Sequence, residues 1–353
     1  MRKASFNFTF VLVVLLVTAL IVTRSSTATA APAQPQKYVF KYASATPKGV
    51  GPSAVVAKMK EFLAVNSGGR VEIEEHLAGA LGGSESEYIS SLIAGNLDMA
   101  GTAAAPLFQF NHAIDVIDFP FLLTTWDDIF AFRNSALWQT KSSALSKSGI
   151  KVIALGTQGL RGLITSKHIT EPSGFKGLKV RVMDSRAYVK AFESLGAVVS
   201  TLPFGEVVTA LQTRVIDAHL DNATMMIAAK LYQISPYYYD MKCSVVSLPI
   251  MMSQKIWDKL PKDIQDILEK TASDTENWFK QNDPVTQQKS LDAITAAGGK
   301  VTACSQADWN AMQKKVLTEV LPEFKNQVGI DTLKWVADRS PVIQAVLKDL
   351  NIK

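Results

Sequence analysis

The chain has 353 residues, of which 47% are hydrophobic, and a formal net charge of +5 at pH 7. Much of this charge lies near the start, because removing Arg2, Lys3 and Arg24 lowers the net charge from +5 to +2. The remainder has no lysine or arginine run of the kind that follows phosphates, so the sequence predicts no nucleic-acid partner. Its length suits two lobes of ordinary domain size better than one compact core.

The first 30 residues have the pattern of a secretory signal peptide. Arg2 and Lys3 form a basic start, residues 8–22 are apolar, and Ala28-Thr29-Ala30 provides a small-residue cleavage site. A retained membrane anchor is the alternative, but the apolar run is short for a spanning helix, which needs about 20 residues. No later hydrophobic segment is long enough to cross a membrane. The mature protein is therefore predicted to be soluble and periplasmic.

Cys243 and Cys304 are the only cysteines. An even number of cysteines in an exported protein favours a disulfide, so we predict a Cys243–Cys304 bond, with two free thiols as the alternative. There is no C-x-x-C motif and no histidine cluster near either cysteine, which argues against a metal or redox site. We expect no cofactor.

The hydrophobic pattern of residues 37–166 alternates short strands with amphipathic helices. The predicted strands and helices, in chain order, are strand 37–43, helix 53–66, strand 71–75, helix 85–95, strand 98–105, helix 127–148 and strand 151–155. A polar, glycine-flanked turn at 157–162, containing Gln158 and Arg161, and a strand at 163–166 follow. The small residues around Thr102 allow a ligand to approach closely, or reflect tight packing between layers.

The stretch from Phe175 to Asn222 shows the rhythm of a parallel sheet most clearly. A Val-rich strand ending at 182 carries Arg181, and two helical segments and a second strand at 215–222 follow. In such sheets, ligands bind beyond the carboxyl ends of the strands. A guanidinium pairs with both oxygens of a carboxylate. We therefore predict that Arg181 binds a small organic acid; the alternative is a structural arginine paired with an acid such as Asp184.

The last third of the chain is mainly helical. A helix at 223–234, an apolar strand at 245–252 broken at Pro249, a helix at 262–297, a strand at 301–304 and helix from 306 onward are predicted. Unbroken, the 262–297 helix would extend about 50 Å at 1.5 Å per residue. It therefore outreaches a single lobe and should lie across both. Pro284 predicts a kink, because it removes one backbone hydrogen bond.

Several motifs, in their order and spacing, resemble the solute-binding proteins of tripartite ATP-independent periplasmic (TRAP) transporters, the DctP-like family. They are Leu81-Gly82-Gly83-Ser84, residues 95–99, Asp118-Phe119-Pro120-Phe121, residues 176–182 and residues 203–212. The resemblance spans nearly the whole mature chain. It implies an α/β fold of two lobes joined by hinge strands, with a long helix spanning both. Lobe I is expected at 37–158 plus about 247–286, and lobe II at 159–246 plus about 287–353.

The resemblance also implies a function. Such a protein closes its lobes around a small carboxylate and delivers it to the membrane subunits of a TRAP permease. Arg181 matches the arginine that forms a two-point salt bridge with the ligand, and Arg161 matches a second arginine of the binding site. The further predicted ligand contacts are Thr102, Gln158, Ser185, Asp221 and Asn222. Most relatives are monomers, and we expect the same here.

Asp221 and Cys243 depart from the family pattern, in which asparagine and histidine are often found at these positions. An unpaired acid in a site for anions is costly. Asp221 should therefore pair with an arginine, face solvent, or accept a hydrogen bond from a hydroxyl or ammonium group of the ligand. The last possibility favours a hydroxy or amino acid as ligand. Asn222 could take the role of the asparagine instead.

Asp217, His219 and Asp221 alternate along the strand at 215–222 and would share one face. Such a set can bind a divalent cation, although an ordinary strand end with turn residues is the simpler interpretation. We expect no enzyme activity, because the Gly-x-Ser-x-Gly, His-Glu-x-x-His and phosphate-binding glycine motifs do not occur. A periplasmic sensor subunit for a membrane receptor is the alternative function, since a fold does not fix the partner.

Overall fold

The computed structural model describes residues 36–352 of the chain. The strands in this range are β1 (Tyr38–Ala43), β2 (Val71–His76), β3 (Met99–Gly101), β4 (Ile150–Thr165), β5 (Lys179–Val182), β6 (Val198–Thr201), β7 (Ala218–Asn222), β8 (Tyr237–Asp240), β9 (Val245–Ser253) and β10 (Lys300–Ala303). The predicted signal peptide lies outside the described residues. Within them, no helix combines the length and the apolar character needed to cross a membrane.

The helices make up most of the remaining ordered structure. They are α1 (Pro52–Ser67), α2 (Glu85–Ala94), α3 (Trp126–Arg133), α4 (Ala136–Lys147), α5 (Arg186–Ser194), α6 (Val207–Gln212), α7 (Ala223–Ala228), α8 (Gln254–Trp257), α9 (Lys262–Ala296), α10 (Gln306–Glu319), α11 (Leu321–Val328), α12 (Ile330–Ala337) and α13 (Pro341–Asp349). The mixture of strands and helices is the α/β class predicted from the sequence.

Two groups of parallel strands are joined through β4 and β9. β1 pairs in parallel with β2 and β3, while β5 pairs in parallel with β6 and β7. β9 runs antiparallel to β3 and to the first part of β4, whereas the last part of β4 runs antiparallel to β7 and β8. β10 pairs with β8. The parallel arrangement predicted for residues 175–222 is confirmed, and β4 and β9 are the strands that connect the two groups.

The helix α9 spans both groups of strands. It is continuous over 35 residues and contains Pro284, so it is about 50 Å long at 1.5 Å per residue. It contacts α1 beside the first group, α7 beside the second, and β4 between them. Ile264, Leu268 and Phe279 join one hydrophobic cluster with α1, and Ile294 joins another with α6 and α7. The long helix predicted from the sequence is confirmed, and its two ends are anchored in different parts of the core.

The structure corrects the prediction at residues 151–166. Residues 157–162 do not form a turn between two strands; they lie within the single strand β4, which has 16 residues. The register with β9 shifts between Thr157 and Leu160. Such an irregularity removes backbone partners, and a buried amide without an acceptor is costly.

Side chains of α9 supply the missing acceptors. Asp283 Oδ2 accepts a hydrogen bond from the Gly159 amide at 2.7 Å, and Gln287 Oε1 accepts one from the Leu160 amide at 3.4 Å. About two turns nearer the start of the helix, a carboxylate oxygen of Glu276 accepts a hydrogen bond from the backbone amide of residue 155 at 2.8 Å. The long helix therefore allows this polar, glycine-containing segment to remain a strand.

Other differences from the predicted elements are local. The helix expected at 127–148 is interrupted, because Ser135 caps a new helix by accepting a hydrogen bond from the Trp138 amide at 3.1 Å. Pro249 lies within β9 and does not break it. The tyrosines at 237–239 belong to the strand β8, where Tyr238 and Tyr239 are buried in the core.

The predicted disulfide is wrong: Cys243 and Cys304 are both free thiols. Cys243 is buried, and burial raises the pKa of its thiol to about 12. Cys304 is half-buried and its Sγ lies 3.4 Å from the carbonyl oxygen of Ser305. The two thiols therefore lie in separate environments, one inside the core and one near its edge, which their number and spacing in the sequence did not reveal.

Candidate functional site

A cavity of about 60 Å³ lies at the carboxyl ends of parallel strands from both groups, where loops after β1, β3 and β5 meet the connecting strands. Four of the predicted ligand contacts line it. They are Gln158, Arg161, Arg181 and Asp221. The other lining residues are Ala45, Thr46, Gly51, Pro52, Glu85, Ala103, Met183, Phe204, Met225, Val246 and Leu248.

Arg181 is a buried cation without a carboxylate partner among the described residues. It lies on β5 and is 6% exposed. Its Nε and Nη2 atoms donate hydrogen bonds to the carbonyl oxygen of Leu202, at 2.9 and 2.6 Å. Asp184, the acid considered as its structural partner, instead accepts a hydrogen bond from Gln109 at 2.8 Å. Burial lowers the pKa of Arg181 to about 10, so the guanidinium remains charged at neutral pH.

Arg161 is equally buried, but the protein neutralises it. Its Nε and Nη2 atoms donate to the two carboxylate oxygens of Asp118 at 3.2 and 2.9 Å. Tyr188 donates a further hydrogen bond to Asp118 at 2.7 Å, and its ring lies 5.5 Å from the guanidinium. Burial alone would lower the pKa of Arg161, but the Asp118 carboxylate together with Tyr188 and Asp221 holds that pKa above its usual value. Arg161 therefore brings little free positive charge to the cavity.

The role of Asp118 was missed from the sequence. It belongs to the motif Asp118-Phe119-Pro120-Phe121, whose other three residues are apolar. The available signal was an acid inside an otherwise apolar motif, since such an acid must find a cation or several hydrogen bonds when buried. Its partner lies 43 positions further along the chain.

Asp221 pairs with a histidine and with backbone, and it forms no ion pair with an arginine. Its Oδ2 lies 3.1 Å from Nε2 of His219, and its Oδ1 accepts hydrogen bonds from the backbone and side-chain amides of Asn222 at 2.8 and 3.0 Å. Burial alone would raise the pKa of Asp221, but these contacts and nearby arginines hold it below its usual value. Asp221 is therefore an ionised carboxylate whose oxygens are already engaged by the protein.

Three predicted ligand contacts do not line this cavity. The side-chain oxygen of Asn222 caps α7 by accepting a hydrogen bond from the Met225 amide at 2.8 Å. Thr102 is fully buried beside the cavity, and its hydroxyl has no hydrogen-bond partner among the described residues. Ser185 lines a second cavity of about 210 Å³. Gln158, in contrast, lines the first cavity and accepts a hydrogen bond from the Gly51 amide at 3.1 Å.

The three residues considered as metal ligands do not converge. Asp217 binds Lys167 Nζ at 3.0 Å and the backbone amide of Lys179 at 3.1 Å, whereas His219 contacts Asp221. Across residues 36–352, no three histidine, cysteine, aspartate or glutamate side chains form a cluster that could hold a metal ion. Alternation along the strand placed these residues near one another, but their polar partners differ.

Glu85 is a cavity residue that sequence reasoning missed. It is the first residue of α2, directly after Ser84, which forms a capping box with Glu87. One oxygen of Glu85, Oε1, accepts a hydrogen bond from the Ala103 amide at 2.9 Å, and burial raises the pKa of Glu85. The motif Leu81-Gly82-Gly83-Ser84 marked the start of this helix, so its first acid was the signal available.

Two groups of parallel strands, two connecting strands and a cavity between the loops of both groups form the two-lobe fold of a solute-binding protein. The chain matches the family model described as bacterial extracellular solute-binding protein, family 7 (DctP), over residues 43–327, and therefore belongs to this family. The family recognised from the sequence motifs is thus confirmed, as is the two-lobe α/β fold. Its members are extracytoplasmic binding proteins and not enzymes.

Individual relatives are similar over most of their length. The C4-dicarboxylate-binding periplasmic protein DctP of Rhodobacter capsulatus is 25% identical over 323 residues, which cover 89% of this chain and 94% of the relative. The 2,3-diketo-L-gulonate-binding periplasmic protein YiaO of Escherichia coli is 25% identical over 282 residues, covering 79% of this chain and 85% of the relative.

Solved structures share the fold. The sugar acid binding protein DctPAm of Advenella mimigardefordensis, in complex with galactonate, superposes with a TM-score of 0.79 at 21% identity, covering 88% of this chain and 99% of that protein. A TRAP periplasmic solute-binding protein of Desulfovibrio salexigens with bound orotic acid gives a TM-score of 0.78 at 23% identity, covering 88% of this chain and 100% of that protein.

Proposed function

We propose that this protein captures a small organic acid through Arg181 and delivers it to the membrane subunits of a TRAP transporter. The observation that carries the proposal is the guanidinium of Arg181, which lines the cavity, is buried, and has no carboxylate of the described residues within hydrogen-bonding distance. A buried charge without a counter-charge is costly. A ligand carboxylate removes this cost and can accept two parallel hydrogen bonds from the guanidinium.

The relatives support the ligand class and the transport role. The proteins of Rhodobacter capsulatus and Escherichia coli are named for binding a C4-dicarboxylate and a diketogulonate, and the two solved structures contain galactonate and orotic acid. All four are acids. The Desulfovibrio salexigens protein is named as a TRAP periplasmic solute-binding protein. A sensor subunit is supported only by the shared fold, so transport is the favoured function.

Ligand capture requires the two lobes to move. The proposed lobes are residues 37–158 plus about 247–286, and residues 159–246 plus about 287–353. Their junctions fall within β4, near the start of β9 and in α9, which are the elements that join the two groups of strands. Hinge closure around a ligand uses a few loop or element-terminal residues that absorb large changes of the backbone dihedral angles. The protein acts as a monomer in the periplasm, and the lobes exclude water from the Arg181–carboxylate pair when they close.

Isothermal titration calorimetry with Arg181→Ala tests the proposal. The acid used is the one that gives the largest thermal shift of the wild-type protein in a screen of small organic acids. Removing one member of a buried, hydrogen-bonded charge pair costs about 2–5 kcal/mol, so the dissociation constant should rise by roughly 30-fold to several thousandfold.

Arg186→Ala is the matched control for this experiment. Arg186 is an exposed arginine five positions along the chain, paired with Glu323 and outside the Arg181 cavity. Its replacement should leave the affinity for the acid within about threefold, because exposed ion pairs contribute little. If the Arg181→Ala variant bound the acid as tightly as this control, Arg181 would not be the ligand's partner.

A further inference from the structure

Among the described residues, Arg181 and Glu85 are charged lining residues with no oppositely charged group within hydrogen-bonding distance, although the Asp221 and Glu85 carboxylates act on Arg181 through space. Arg161 is paired with Asp118, and Asp221 is engaged by His219 and Asn222. The remaining charged residues of the lining are Arg181 and Glu85. Within the described part of the chain, neither forms an ion pair. The cavity therefore has two poles of opposite sign.

Glu85 is held in a fixed position at its pole. The capping box of Ser84 and Glu87 fixes the start of α2, and the Ala103 amide binds Oε1 of Glu85. The second carboxylate oxygen, Oε2, has no hydrogen-bond donor among residues 36–352. Burial raises the pKa of Glu85, whereas the guanidinium groups of Arg181 and Arg161 and the first turn of α2 favour its ionised form. Glu85 thus provides a positioned acceptor with one oxygen available to a ligand.

The rest of the lining cannot neutralise a second ligand anion. Apart from the residues already discussed, it is formed by backbone, by a threonine and a glutamine, and by the apolar side chains of Ala45, Pro52, Ala103, Met183, Phe204, Met225, Val246 and Leu248. The one further guanidinium, that of Arg161, is occupied by both oxygens of Asp118. A ligand with two carboxylates would find a single free cation and would meet Glu85 as a like charge.

We propose that the ligand is a monocarboxylic acid that carries a hydrogen-bond donor, an ammonium or hydroxyl group, and that Glu85 accepts from this donor and excludes dicarboxylates. The proposal rests on the proposed function, since it takes Arg181 as the partner of the carboxylate. It distinguishes this chain from the Rhodobacter capsulatus relative, which is named for a C4-dicarboxylate. Like charges brought together in a desolvated site disfavour binding, and charge-assisted hydrogen bonds favour it.

The test compares matched acids by calorimetry at pH 7. Each set has one carbon-chain length, from three to six carbons, and contains a dicarboxylate, an ω-amino acid and an ω-hydroxy acid; galactonate is added as a polyhydroxylated monocarboxylate. The wild-type protein should bind a donor-bearing acid at least about tenfold more tightly than the dicarboxylate of the same length. A dicarboxylate as the tightest ligand, or no binding of any donor-bearing acid at millimolar concentration, would overturn the proposal.

Glu85→Gln separates the two kinds of donor. With its carbonyl oxygen on the Ala103 amide, glutamine presents its NH2 group to the ligand. This group can donate to a hydroxyl oxygen, but it neither accepts from ammonium nor carries a negative charge. The variant should lose about tenfold or more in affinity for an amino acid, change less than about threefold for a hydroxy acid, and bind succinate about tenfold more tightly than the wild type does. Unchanged affinities for every acid, succinate included, would show that Glu85 does not face the ligand.

Arg181→Ala separates failure of this inference from failure of the proposed function. If this variant keeps the wild-type affinity for the acids, the carboxylate does not bind at Arg181 and the proposed function fails. If the variant loses binding while the wild-type protein prefers succinate, the function stands and the inference about Glu85 fails. Thermal unfolding checks that both variants are folded. We expect Glu85→Gln to fold, because its side-chain carbonyl can still accept the hydrogen bond from the Ala103 amide.

Discussion

The surroundings of Arg161 and Arg181 differ although the two arginines line one cavity and are 2% and 6% exposed. Arg161 forms a two-point ion pair with Asp118, supported by Tyr188. Arg181 is hydrogen-bonded only to a carbonyl oxygen. The residue type and its burial therefore do not identify the ligand-binding arginine; the missing counter-charge does.

This difference assigns opposite energetic roles to the two side chains. Breaking a buried ion pair leaves an uncompensated charge, which is strongly destabilising. A buried cation that has no protein partner is already uncompensated, so its removal relieves a cost in the ligand-free protein. Arg161 should therefore contribute mainly to the stability of the fold, and Arg181 mainly to binding.

The largest expected effect on stability is that of Arg161→Met. This change leaves Asp118 buried without its cation, so the free energy of unfolding should fall by about 3–5 kcal/mol. Arg181→Met should leave it unchanged or raise it, because no carboxylate of the described residues loses a hydrogen-bonded partner. Urea denaturation of the ligand-free proteins at neutral pH measures both. Equal losses for the two variants would remove the distinction between the arginines.

A double variant checks that the loss in Arg161→Met comes from the ion pair. Combining Arg161→Met with Asp118→Leu removes both charges, and replacing a buried pair by apolar residues is often neutral or stabilising. The double variant should therefore recover most of the loss. Failure to recover would mean that the shape of Arg161, and not its charge, is what the core requires.

Asp283→Ala extends the comparison to the strand that carries Arg161. Asp283 accepts hydrogen bonds from the Gly159 amide at 2.7 Å and from Trp126 Nε1 at 2.6 Å. Its removal leaves two buried donors without an acceptor, and the free energy of unfolding should fall by about 1–3 kcal/mol for each donor that water cannot reach. Affinity for the acid should also fall, because Gln158 and Arg161 flank the released segment.

Two further variants of α9 define the cause of that change. Asp283→Asn keeps one acceptor oxygen, so its free energy of unfolding should lie between those of the wild type and Asp283→Ala. Lys289→Ala replaces an exposed residue of the same helix and should change the unfolding free energy by less than about 0.5 kcal/mol. Chemical denaturation measures all three variants. Equal values for Asp283→Ala and Lys289→Ala would show that α9 does not hold β4 through Asp283.

The smallest expected effect is that of Tyr188→Phe. The Tyr188 hydroxyl donates to Asp118 at 2.7 Å and lies 2.6 Å from Ser244 Oγ, so its loss should cost about 1 kcal/mol of stability. Affinity for the acid should stay within about threefold, because Tyr188 contacts the Arg161 pair and not Arg181. Chemical denaturation measures the change in stability and calorimetry measures the change in affinity, both on the same preparation. A large loss of affinity would place the Asp118–Arg161–Tyr188 group in the ligand's own binding network.

Features that depend on local pattern could be predicted from the amino-acid sequence. Alternating and helical periodicity gave the α/β class, and the parallel arrangement of residues 175–222 placed Arg181 at the carboxyl end of a strand. The length of the polar–apolar pattern at 262–297 was sufficient to predict a helix that spans both lobes. These predictions succeed because hydrophobic period and helix length are properties of neighbouring residues.

Which charged groups contact one another depends on the packing of distant segments and could not be predicted. Asp118 neutralises Arg161 from a distant motif, Glu85 enters the cavity from the start of α2, and acceptors on α9 keep residues 157–162 in a strand. Cys243 and Cys304 lie far apart in the sequence, and both are free thiols. Burial and pairing depend on how separate elements pack, and a charged side chain changes its role according to the partner that packing gives it.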